Sequence, residues 1–173
     1  MSQVLERLLT ILKAEAELIE NMSEGVSFRY KSNQQLILGN GKPFLEIVRL
    51  IPFKGKSKQC FQNCYQALWD YPEFSYCEGF ALKNNMSIAL SHAWLVNDNM
   101  EVIDPTWTKE TSAEVAYFGV VFTKKFVMET AAKTKCYGIL DSDYLNRHQL
   151  KREGFPQGAL HPKFHTEFSK SNR

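Results

Sequence analysis

Between residues 57 and 122 the chain presents one helix-forming stretch and then a series of short β-prone runs separated by turn chemistry, an order that few architectures accommodate. The helix is expected over 57–69, with Ser57 as its N-cap. Strand-like stretches follow at 74–82, 88–96 and 101–103, joined by Asn84-Asn85 and Asn97-Asp98-Asn99, and a further aromatic strand covers 115–122. Helices are expected at 124–133 and 142–152. With a long amphipathic helix over 3–21, whose Val4, Leu5, Leu8, Ile11, Leu12, Leu18 and Ile19 recur at three- and four-residue spacing, the predicted class is α+β. That first helix is read as laid on the core.

The region 25–54 reads as extended and looped. Val26 to Tyr30 alternates at period two, Leu36-Ile37-Leu38 is a short apolar run, and residues 39–43 (Gly-Asn-Gly-Lys-Pro) are punctuation. The stretch from Phe44 to Phe53 does not separate helix from strand. Lys54-Gly55-Lys56-Ser57-Lys58 is basic but lacks the spacing of a phosphate loop, and reads as an exposed approach to the helix. A chain of 173 residues suits one core, expected over 1–153, with a polar, proline-broken mobile tail over 154–173.

Composition removes several function classes. A net charge of +2 makes no demand for nucleic acid or an anionic membrane surface. No stretch approaches the ~20 apolar residues that span a bilayer. Charges at Glu6, Arg7 and Lys13 interrupt the N-terminal apolar positions, so no signal-peptide core is read there. The four cysteines, 60, 64, 77 and 136, are then expected as reduced thiols in a cytoplasmic protein. Cys60 and Cys64 are spaced as metal ligands can be, but no second pair follows, so no metal and no cofactor is expected.

Chemistry enters with three residues in order: a cysteine at a helix start, a histidine in a strand, and an aspartate at the end of the next strand. A thiolate is a nucleophile, and a helix N-terminus favours negative charge. Histidine can take and return the proton. A carboxylate on the far ring nitrogen holds the imidazole in one tautomer and supports its charged form. Cys60 and Cys64 compete as nucleophile. Phe61, Cys64, Tyr65 and Leu68 form one apolar stripe, which buries Cys64 and leaves Cys60 at the edge, in the first turn, beside Lys56 and Lys58. For Asp104 the alternative is a plain turn residue before Pro105.

The segment Ser91-His92-Ala93-Trp94-Leu95-Val96, followed by Val102-Ile103-Asp104-Pro105-Thr106-Trp107, resembles the transglutaminase-like superfamily over about residues 55–122. The resemblance implies a papain-like core with the catalytic helix packed on an antiparallel sheet. It implies nucleophile, base and orienting roles for Cys60, His92 and Asp104. It implies acyl transfer but supplies no substrate. A protein or peptide-like amide is expected, with hydrolysis favoured over transfer to an amine because one small domain without evident calcium ligands or regulatory modules looks unlike the large cross-linking enzymes. The superfamily also holds members without catalysis, so an interaction module is the alternative. Papain-like enzymes carry a glutamine several residues before the cysteine; here Gln59 stands directly before it, which leaves Gln59, Gln62 and the Cys60 N–H as oxyanion donors. Trp94 and Trp107 are expected as walls of the site. Glu78, a charge inside an apolar strand, is expected to line the cleft or to face solvent.

Overall fold

A computed structural model describes residues 1–48, 53–108 and 113–165. Helix α1 spans Gln3–Met22, with Ser2 accepting a hydrogen bond from Leu5 N at its start, and it buries Leu5, Leu8 and Leu12. Helix α2 spans Asn33–Asn40. This corrects the extended reading of 25–54. The Ser32 hydroxyl caps the helix by accepting from Gln35 N, and Leu36 and Ile37 are fully buried, so packing prevails over the weak helix propensity of Gly39 and Asn40. Val26 to Tyr30 is not a strand either. Its backbone bonds to the C-terminal region, Tyr30 N donating to Lys151 O.

Five strands form one antiparallel sheet: β1 Lys42–Phe44, β2 Ser75–Lys83, β3 Leu90–Val96, β4 Val102–Ile103 and β5 Val115–Phe122, in the order β1-β5-β2-β3-β4. Pro43, read as punctuation, sits in the edge strand β1, where a missing N–H costs no ladder bond. Of the undecided stretch 44–53, Ile47 bridges Val102 in parallel, and residues 49–52 lie outside the described set. The register sets Gly79 opposite His92 on one side and opposite Gly119 on the other. A side chain on Gly119 would meet the Trp94 ring at 2.7 Å, so the missing Cβ is what lets that indole lie over the strand.

Period-two alternation divides the interior between two clusters. Tyr76, Phe80, Ala93 and Leu95 pack with α1, α2 and helix α3 (Cys60–Asp70). Cys77, Trp94, Val96 and Tyr117 pack in the second cluster with Phe44 and Phe164. Helix α4 covers Lys124–Thr134. The helix expected over 142–152 is divided into a 3-10 turn at Asp143–Asn146 and the short α5, Gln149–Glu153. Arg147 and His148 adopt left-handed backbone between them, and the Asp143 carboxylate takes the N–H groups of Leu150 and Lys151.

The segment from Gly154, expected as a tail, lies along β5 as far as His165; residues 166–173 lie outside the described set. The cause is in the sheet. The three-residue β1 pairs only with 117–119, which leaves the backbone at the end of β5 unmet on that side. Thr123 N donates to Ala159 O, His161 N to Val121 O, and Val121 N to the ring of His165. Burial, then Lys42 and His161, push His165 down to about 4, which keeps that ring nitrogen an acceptor. Among the described residues no helix is long and apolar enough to cross a membrane.

Candidate active site

Helix α3 starts at Cys60, not at Ser57. Gln59 is its N-cap residue, and Cys60 is the first residue in helical geometry. The N–H groups of the first turn precede any intrahelical partner, so the thiol lies where the helix dipole is positive. Cys60 is 9% exposed, whereas Cys64, one turn on, is fully buried, and that burial pushes its thiol well above its ordinary value. All four cysteines are free.

His92 and Asp104 reach the same place from β3 and from the end of β4. His92 Nε2 lies 2.7 Å from Asp104 Oδ2, which leaves Nδ1 as the ring nitrogen the carboxylate does not engage, and the Cys60 thiol is near enough to favour the charged form of the same ring. The site forms where the two core clusters meet, Cys60 belonging to one and the aromatic neighbours of His92 to the other. Burial by itself lowers His92, but the Asp104 charge, its hydrogen bond and then Cys60 outweigh it and raise the imidazole to about 9. Asp104 responds in the opposite sense. Burial raises it, and the His92 charge and hydrogen bonds bring it below the ordinary carboxylate value.

The two oxygens of Asp104 face different partners, the turn on one side and His92 on the other. Oδ1 accepts from the backbone N–H groups of Thr106 and Trp107 at 2.8 and 3.0 Å, closing an Asx turn. Oδ2 takes His92 and also the Tyr117 hydroxyl at 2.8 Å. Four donors around a carboxylate 2% exposed hold it ionised and leave it little freedom to turn.

Two residues that sequence reasoning missed complete the support. Tyr117 sits in an aromatic run that reads only as core, and its hydroxyl meets Asp104 solely because β5 lies across the sheet. Asn63 had a weak signal, a polar residue one position from the buried stripe of α3. Its Nδ2 donates to Thr106 Oγ1 at 2.9 Å and to Lys56 O at 2.7 Å, and its Oδ1 accepts from Lys56 N at 3.0 Å. The helix that opens at Cys60 is thereby tied to the loop that holds Asp104.

The substrate-contact expectations divide. Trp107 is half-buried and stacks on His92, centroids 4.2 Å apart at 19°, which places it beside the histidine. Trp94, also expected as a wall, does not form one. It is fully buried, edge-on to Phe44 at 5.3 Å, and its ring stands 6.4 Å from His92 as packing behind the base. Glu78 neither lines a cleft nor faces solvent. It is fully buried, with Oε1 accepting from Tyr76 OH and Ile139 N and Oε2 from Leu140 N, which pins the chain after α4 against β2. Burial outweighs these bonds and raises Glu78 to about 7. Gln59 is exposed and makes no capping bond, so its side-chain amide is free beside Cys60. No family model, curated protein or solved structure matches the chain.

Proposed function

We propose that the chain is a thiol-dependent acyl-transfer enzyme that hydrolyses an amide bond of a peptide-like substrate. The observation that carries this reading is one cluster: a cysteine at the first position of a helix, near enough to a histidine to favour its charged form, and that histidine's Nε2 2.7 Å from a carboxylate. An imidazole raised to about 9 is protonated near neutral pH, and a cation beside the sulfur is the setting in which cysteines act as nucleophiles. A helix opening at the nucleophile, with antiparallel strands carrying base and carboxylate, also supports a papain-like core.

In the proposed reaction the Cys60 thiolate attacks the carbonyl carbon, forming a C–S bond as the carbonyl π electrons move to oxygen. The Cys60 N–H and the side-chain amides of Gln59 and Gln62 are the candidate donors to that oxygen. His92 Nδ1 gives its proton to the leaving nitrogen as the C–N bond breaks, producing a thioester and a free amine. His92, now neutral, takes a proton from water; the hydroxide adds to the thioester and the C–S bond breaks, releasing acid and thiolate. Asp104 keeps Nε2 protonated throughout, so that Nδ1 is the nitrogen that gains and loses the proton.

The direct test is selective alkylation. Iodoacetamide near pH 7, with peptide mapping, is expected to modify Cys60 well ahead of the half-buried Cys136, and His92→Ala is expected to slow Cys60 alone. Equal rates at the two cysteines, or a Cys60 rate that ignores His92, would remove the enzyme reading and leave an interaction module.

A further inference from the structure

The basic loop before the nucleophile is unused in this mechanism, and its construction is unusual for solvated surface. Lys54, Lys56 and Lys58 are all exposed, within six residues of Cys60. Among the described residues none of the three has an ion-pair partner. The backbone beneath them is nonetheless held tightly. Asn63 bonds both the N–H and the carbonyl of Lys56, and Gly55 N donates to Pro105 O at 2.8 Å. A side chain on Gly55 would approach Asn63 Cγ to 2.3 Å, so glycine is what allows the loop to lie against the helix. Lys58 adopts left-handed backbone, φ 62°, which a lysine keeps only when its neighbours impose it. Three uncompensated cations therefore stand on a frame fixed to both the cysteine helix and the Asp104 loop.

From this juxtaposition we infer that the acyl donor is acidic: a peptide amide bearing carboxylates beside the scissile carbonyl, drawn to Cys60 by Lys56 and Lys58. The inference rests on the acyl-transfer reading and narrows its substrate class. Exposed charges within a Debye length, ~8 Å at physiological salt, attract an anion without needing a fitted contact, and the attraction fades as salt rises. A loop held by Asn63 presents that field in one place.

Iodoacetate and iodoacetamide differ by one negative charge next to the reacting carbon, so the ratio of their rates at Cys60 reads the local field. The ratio is expected to fall about fivefold in the Lys56→Gln/Lys58→Gln double variant, and by a similar factor in the unaltered protein at ~0.5 M salt. His92 also attracts the anion, but it is common to both proteins and cancels in the comparison. An unchanged ratio in the double variant overturns the acidic-substrate inference and leaves the acyl-transfer reading standing. Failure of both reagents to label Cys60 faster than Cys136 overturns the two together.

Discussion

Asn63 Nδ2 lies 2.9 Å from Thr106 Oγ1, a side-chain bond that joins the helix opening at Cys60 to the turn holding Asp104. The same amide holds Lys56 by two further bonds, so one residue ties together α3, the basic loop and the turn of Asp104. Asn63→Ala leaves the Lys56 N–H without its partner and the Lys56 carbonyl with only the Gln59 N–H, at 3.3 Å. We expect a loss of ~1–3 kcal/mol in denaturant unfolding. We also expect Cys60 alkylation to slow at least tenfold at temperatures where the variant is folded, because misplacement by a fraction of an ångström is costly in such sites.

Tyr117 donates to the same carboxylate oxygen as His92, at 2.8 Å. Tyr117→Phe removes that donor while keeping the ring in its cluster. Asp104 then loses one of the bonds that favour its charged form, and its titration moves upward. The acid limb of the pH profile of Cys60 alkylation should shift to higher pH. A purely packing role for the ring predicts no movement of that limb.

His92 itself should titrate near 9, measurable from its ring carbon proton by NMR. In Asp104→Asn the largest upward causes are gone and burial is opposed by Cys60 alone, so the resonance should titrate well below 9. The stability consequence has a definite sign. A histidine raised by folding contributes fully below its unfolded pKa of about 6.5, and the contribution disappears as pH rises through about 9. The native protein should thus lose its stability margin over His92→Gln on the alkaline side.

Glu78 gives a second pH signature in a different window. Its folded pKa of about 7 lies above the ordinary 4.5, so the folded state binds the proton more tightly than the unfolded chain. Stability from this group is greatest below about 4.5 and declines as pH rises to about 7, by ~3 kcal/mol. Glu78→Gln, which cannot ionise, should flatten that part of the stability-versus-pH curve. An unaltered slope would assign it to other groups.

Local pattern determined much of this molecule. The amphipathic repeat of α1, the β-prone runs with Asn-rich turns, and the apolar stripe of α3 are written in spacing of a few residues, where side-chain periodicity directly reports the buried face. The same stripe identified Cys64 as buried and Cys60 as the edge cysteine. Other features depended on partners distant in the chain. Leu36 and Ile37 are helical because α1 and the sheet bury them, and a short apolar run carries no sign of that. Residues 159–165 are ordered because β1 is too short to pair all of β5. Glu78, read as a cleft or solvent residue, is a buried clamp because a loop sixty residues away supplies its donors. The triad divides in the same way. Cys60, His92 and Asp104 were legible as residue types in order, but the carboxylate's four donors come from β3, β5 and its own turn. Only the sheet register brings Tyr117 to Asp104, and only the docking of α3 brings Asn63 to Thr106, since hydrogen bonds between distant elements leave no periodic trace in sequence.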